Sequence, residues 1–289
     1  ICLGTGITDD DGTHPTQTNL FQKHLGDEAM PQGIVVDGMA VHELPLQRLL
    51  DPERRHSLLD PQGTGYLIPA GQRVSVARRC QRFPEQHDKK ELAGVFATAW
   101  IDHGVAPADG GYEYAVLVNT SPTALAGFAE AMKSDETAPY RVLRKDDVAH
   151  IVWDQASGSW AYVFLKALPL ASTKAPPTTR VRRWWHPVPG APPLPDPPLH
   201  PVVSVDRPCL VMVEELADGA RALSVADPDL NLVEGISQVR EVSVVLRGQW
   251  EPNGARNAPG VRIRRDEGVT RISADCQRGE TIEVPLRRR

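Results

Sequence analysis

Short runs in which apolar and polar residues alternate, each closed by Gly, Pro, Asp or Asn, recur through this chain and restrict its architecture. Gln72-Arg-Val-Ser-Val-Ala-Arg78 places Val74 and Val76 on one face and Arg73, Ser75 and Ala77 on the other. Glu241-Val-Ser-Val-Val-Leu-Arg247 alternates through Val242, Val244 and Leu246. A period of two belongs to strands, whose successive side chains point to opposite faces. Polar outer faces imply antiparallel sheets solvated on one side. The spacing predicts an all-β chain built of sandwiches.

Other runs extend the pattern. Gly33-Ile-Val-Val-Asp-Gly38 and Met39-Ala-Val-His-Glu-Leu44 flank an Asp-Gly turn, a hairpin signal. Leu92 to Trp100 is nearly all apolar and leads into Ile101-Asp-His-Gly104. A loop from Val105 to Gly110 then precedes a second strand, Gly111-Tyr-Glu-Tyr-Ala-Val-Leu-Val118. Thr8 to Gly12 reads as a solvated turn and Glu85 to Glu91 as a surface loop. Ala149-His-Ile-Val-Trp153 and Trp160 to Leu165 read as strands joined by a hairpin loop. One helix interrupts the strands. Ser121 is its N-cap, Pro122 its first residue, and Leu125, Phe128, Ala129 and Met132 its core-facing stripe.

Proline is dense from Thr173 to Pro201, where it blocks ladder hydrogen bonds and favours extended chain. The stretch reads as an inter-domain linker. It carries Arg182-Arg-Trp-Trp185, for which two readings stand. The tryptophans either pin the linker to a neighbouring domain or, with the arginines, form a sugar- or anion-binding patch.

Charge excludes one class of partner. Residues 1–172 hold 15 Lys and Arg against 22 Asp and Glu, and residues 173–289 hold 17 against 15. Neither part has the basic excess of a nucleic-acid binder, although a polyanionic sugar needs only a few local cations. No apolar run is long enough for a transmembrane helix. Cys2, Cys80, Cys209 and Cys276 are too scattered for a zinc or redox motif, and buried free thiols are expected.

Catalytic motifs are wanting. There is no nucleophile elbow, P-loop, dinucleotide-binding glycine pattern or zincin motif, and no histidine pair has helical metal-ligand spacing. Asp102 and His103 are adjacent on a strand, so they point apart and make no dyad. His103 has a structural hydrogen-bonding reading and a reading as part of a substrate groove. Tyr112 and Tyr114 share a face opposite Glu113, and packing accounts for them.

Several pieces taken together resemble a known family. They are Cys2-Leu-Gly-Thr-Gly-Ile7, Thr16-Gln-Thr-Asn-Leu-Phe-Gln22, Gly65-Tyr-Leu-Ile-Pro69, Trp100-Ile-Asp-His-Gly104 with Tyr112-Glu-Tyr114, Val205 to Val213, and Ser224 to Asn231. Their order and spacing are similar to the C-terminal β region of polysaccharide lyase family 8, which degrades chondroitin, dermatan, hyaluronan or xanthan. The Leu-Phe-Gln ending at Gln22 is nearest to the chondroitin sulfate ABC type.

The resemblance implies a later part of a large, galactose mutarotase-like antiparallel super-sandwich over 1–170. A Pro-rich linker over 171–201 and a smaller C-terminal sandwich over 202–289 follow. It implies β-elimination at a uronic acid of a glycosaminoglycan, no cofactor, an acidic polysaccharide as partner, and an extracellular or periplasmic setting.

The family's catalytic Asn, His, Tyr and Arg belong to an α-helical toroid, and an assisting Glu to the early central domain; no residue here matches them. No catalytic or metal-ligating residue is therefore assigned. His103, Trp184 and Trp185 are the candidate substrate contacts. The chain opens without Met or a signal peptide and reads as a strand entered midway. A C-terminal portion, inactive alone, that joins an upstream partner or self-associates is expected. The alternatives are a non-catalytic carbohydrate-binding or structural β-module, and an independent enzyme with a groove near His103.

Overall fold

The computed structural model describes residues 1–25, 33–84, 91–170, 199–254 and 259–289. They form two compact units, Ile1–Lys133 and Ser134–Arg289. The Glu85 to Glu91 loop, all but its last residue, and Trp184 and Trp185 lie outside the described residues.

The first unit contains β1 (Cys2–Ile7), β2 (Pro15–His24), β3 (Ile34–Val36), β4 (Met39–Val41), β5 (Leu46–Leu49), β6 (His56–Leu59) and β7 (Gly65–Ile68). It continues with β8 (Val74–Pro84), β9 (Glu91–Val105), β10 (Gly110–Leu117) and α1 (Pro122–Ala131). Two antiparallel sheets, ordered β1-β10-β7-β6-β3-β4 and β2-β9-β8-β5, share one core. Val74 and Val76 from β8, Ala97, Ala99 and Ile101 from β9, and Leu58, Tyr66 and Ile68 from the other sheet meet there. Full burial of a Val or Ile side chain contributes about 1.5–3 kcal/mol, so this layer dominates the unit's stability.

Local chemistry sets the details. Asp37 and Gly38 both have positive φ (50° and 81°), the backbone of the tight hairpin turn joining β3 and β4. The Ser121 hydroxyl accepts a hydrogen bond from the Ala124 N–H at 3.2 Å and caps α1. Leu125 is fully buried, whereas Phe128, Ala129 and Met132 are only half-buried. The helix thus seats on β6 and β7 by one turn more than by a full stripe. Its far end is held by Arg55, which donates to the Ala129 and Met132 carbonyls at 3.1 and 2.9 Å. Those carbonyls lack partners inside the helix.

The second unit contains β11 (Tyr140–Lys145), β12 (Ala149–Asp154), β13 (Ser159–Phe164), β14 (Val202–Val205), β15 (Cys209–Glu215), β16 (Arg221–Ala226) and β17 (Leu232–Val233). It ends with β18 (Ile236–Ser237), β19 (Arg240–Arg247), β20 (Trp250–Pro252), β21 (Val261–Asp266), β22 (Val269–Cys276) and β23 (Ile282–Arg288). Sheets ordered β11-β12-β13-β15-β16-β23-β20 and β14-β19-β22-β21 enclose a core that includes Trp160, Tyr162, Leu223, Val244, Leu246 and Ile272.

The compact units divide at Lys133/Ser134, and β13 pairs with β15 from the far side of the proline-rich stretch (Trp160↔Val213, Tyr162↔Val211). Two particulars differ from the sequence reading. β19 is buried on both faces from Val242 to Leu246, its outward Ser243 and Val245 being covered as well. Cys209 and Cys276 are buried free thiols as expected, but Cys80 is exposed.

Candidate functional site

The stretch that carries His103 changes layers. β9 runs between β2 and β8, whereas β10 lies between β1 and β7 in the other sheet. The two strands adjoin in sequence but belong to opposite sides of the sandwich. Gly104, Ala106 and Asp109 take positive φ (82°, 48° and 62°) to make the crossing. Left-handed backbone costs little at glycine and is tolerated by Asp, whereas at Ala106 it is strained. Pro107 is buried in the crossing, and its carbonyl accepts the Asp9 N–H at 3.1 Å.

A file of rings follows from this layer change. His103 on β9 lies 6.5 Å from Tyr112 on β10, Tyr112 lies 5.8 Å from Tyr114, Tyr114 lies 6.5 Å from Tyr66 on β7, and Tyr66 lies 5.3 Å from Phe21 on β2. All are tilted pairs within the range of favourable ring contacts. Glycine makes room for it. Gly4 is paired with Tyr112 across β1 and β10, and a Cβ there would stand 2.3 Å from the Tyr112 ring.

Two polar groups of the file, those of His103 and Tyr114, are engaged. His103 Nε2 lies 2.7 Å from Thr18 Oγ1. Burial holds its pKa below the ordinary histidine value, against the pull of Asp102. Asp102 faces elsewhere: its carboxylate accepts the Gly104 N–H at 2.9 Å and lies 3.4 Å from Arg73. Burial pushes the Tyr66 phenol up to about 12, helped by the Asp60 charge and by Cys2. Tyr114 is raised as well, by burial first and then by its hydrogen bond with the Cys2 thiol. An imidazole tied to a hydroxyl and set among packed rings is suited to a structural, hydrogen-bonding role.

On the opposite face of β10, Glu113 is buried, and the Gln72 side chain clamps its backbone. The Gln72 amide donates to Glu113 O at 2.7 Å and accepts from Glu113 N at 2.9 Å. Sequence reasoning found His103, Tyr112 and Tyr114 but missed Gly4, Thr18 and Gln72. Their partners lie far along the chain, and the pairings β1–β10, β2–β9 and β10–β7 bring them together. Glycine in a strand interior was the one available signal for a close approach at Gly4.

Comparison with known proteins places this geometry in context. Residues 1–129 match the family model described as polysaccharide lyase family 8, super-sandwich domain. The chain is 26% identical over 252 residues to the chondroitin sulfate ABC endolyase of Proteus vulgaris, covering 87% of this chain and 21% of that protein. It is 30% identical over 237 residues to the chondroitin sulfate ABC exolyase of the same organism, covering 81% and 19%. The chain therefore spans about a fifth of the length of these relatives. Among solved structures, Paenibacillus xanthan lyase superposes with a TM-score of 0.71 at 18% identity, over 99% of this chain and 25% of the other. At that identity the likeness concerns the fold.

Proposed function

Because residues 1–129 belong to the super-sandwich domain of polysaccharide lyase family 8, we propose that this chain is the β-rich region of a lyase that cleaves an acidic glycosaminoglycan. The substrate class is chondroitin or dermatan sulfate, with hyaluronan, which carries its own uronic acid, as a further substrate. The reaction is β-elimination at that uronic acid. The family match over the first unit carries this reading, and the similarity to two chondroitin sulfate ABC lyases supports the substrate class.

In this reading the chain supplies framework, not proton transfer, and does not turn over substrate by itself. The ring file supports that part: His103 is engaged by Thr18 and its neighbouring tyrosines are packed. The expected central-domain and C-terminal-domain roles then fall to the first and second units. Of the candidate sugar contacts, His103 is better accounted for as a structural residue, and Trp184 and Trp185 remain sugar contacts or linker pins. Such an enzyme would act outside the cytoplasm, where its polymeric substrate is met.

A chimera tests the reading. This chain replaces the matching region of the Proteus vulgaris exolyase, and unsaturated uronate is followed by absorbance on chondroitin sulfate. Retained turnover is the expected result. A folded, soluble chimera without turnover would count against the assignment.

A further inference from the structure

Two arginines on β21 stand in contrasting surroundings. Arg262 is fully engaged: it donates to Asp275 at 2.6 and 3.1 Å and to Glu241. Arg264, two residues on and on the same outer face, is directly opposite Arg271 of β22. Like charges directly opposite across a strand pair are destabilising. The carboxylate given to Arg264 among the described residues is Asp266, at 3.7 Å, and the Arg264 side chain is 81% exposed.

The surplus continues around the end of the sandwich. A single carboxylate, Glu251, serves both Arg287 (2.8 Å) and Arg265 (3.5 Å). Arg288, the last residue of β23, is exposed. These groups are held together. Gln249 donates to the Asp266 and Val269 carbonyls of the β21–β22 hairpin at 2.6 and 3.2 Å, and its own carbonyl accepts the Arg289 N–H at 3.1 Å. The backbones of the hairpin and of the end of β23 are thus fixed side by side, which keeps their arginines at one end of the unit.

The geometry points to an anion-docking face at this end of the second unit, with Arg264, Arg271, Arg265, Arg287 and Arg288 receiving the sulfate and carboxylate groups of an acidic polysaccharide. Guanidinium forks pair bidentately with carboxylate and with tetrahedral oxyanions of the phosphate and sulfate kind. Anions laid across it would neutralise the Arg264–Arg271 opposition, which Asp266 at 3.7 Å from Arg264 offsets only in part. The inference takes its ligand class from the lyase reading above and assigns binding, not chemistry, to these residues.

The test is titration of the full chain with fluorescent chondroitin sulfate oligosaccharides, with double-stranded DNA as a second polyanion. Arg264→Ser combined with Arg287→Ser is expected to weaken chondroitin sulfate binding roughly tenfold, about 1.4 kcal/mol. Added salt should weaken the unaltered chain in the same way. Arg264→Glu serves as a single, highly exposed change if the double variant does not fold, and thermal melts confirm that each variant is native. Affinity unchanged in a folded variant would overturn the inference. So would DNA binding as tight as chondroitin sulfate with the same dependence on Arg264, since the face would then not be one for polysaccharide. An inactive chimera with Arg264-dependent sugar binding intact would sink the lyase reading alone; an active chimera with unchanged binding would sink this one alone.

Discussion

In the first unit a guanidinium and two carboxyl groups, Arg78, Asp60 and Glu113, are nearly fully buried, whereas in the second the arginines of β21 and β23 stand at the rim. Asp227 is the second unit's buried carboxylate, met by Arg240 at 3.4 Å. Ionisable groups are costly to remove from water and need partners. The first unit meets that cost largely with backbone, although Lys23 Nζ also lies 3.5 Å from Asp60. Arg78 donates to the Val41 and Glu43 carbonyls at 3.5 and 3.3 Å, and Asp60 accepts the Gln62 and Thr64 N–H groups at 2.8 and 2.9 Å. The second unit also buries polar groups, His150, Ser204, Ser243 and Thr270 among them, but among its described residues no arginine is buried as deeply as Arg78. The contrast separates two tasks: fixing the course of loops and crossings in one unit, and presenting charge in the other.

The largest expected effect sets the two interiors against each other. Leu246→Ala in the second unit should cost about 2–5 kcal/mol in urea unfolding, because the side chain is wholly buried among apolar neighbours. Arg78→Met in the first should cost far less, since the guanidinium has long hydrogen bonds and an Nε without a partner, and an apolar side chain of similar length needs none. Equal losses would erase the distinction between the interiors.

Gly4→Ala sharpens the account of the ring file. A methyl group 2.3 Å from Tyr112 must displace that ring, at about 1–3 kcal/mol. The double change Gly4→Ala with Tyr112→Ala should recover part of the loss if the clash is the cause. Smaller again is Ser121→Ala, which removes the α1 cap for about 1 kcal/mol in the same assay.

Acid should weaken both units. His103 in the first, and His150 and His200 in the second, are held below the ordinary histidine value of 6.5, in each case chiefly by burial. The unfolded chain then binds more protons than the folded one just below 6.5. Stability is therefore intact above that pH and falls as pH drops through the lowered folded-state values. Melting temperatures recorded across this window check the sign; a melting temperature that rises on acidification would contradict it.

Much of the fold was legible because it is written locally. The alternation through Val74 and Val76, the Asp37-Gly38 turn and the Ser121-Pro122 helix start each depend on neighbours in sequence. What escaped depends on pairing across long separations. The alternation places Arg78 on the same inward face as Val76, yet whether carbonyls would be there to receive it was settled by β4 and the turn after it. Proline density suggested a boundary that β13 and β15 cross by pairing on either side of it. The candidate site was half legible: His103 and the tyrosines announce themselves by residue type, but Gly4 and Gln72 gain their roles only from β1 and from the turn before β8.

The central claim, that these residues provide framework for a lyase and not its proton-transfer groups, is most directly tested by assaying the purified chain alone on chondroitin sulfate. The expected result is no gain in unsaturated-uronate absorbance at any pH where the chain remains folded. Sustained turnover that disappears in His103→Ala or Tyr112→Phe would contradict the account, because it would place the reaction on the ring file itself.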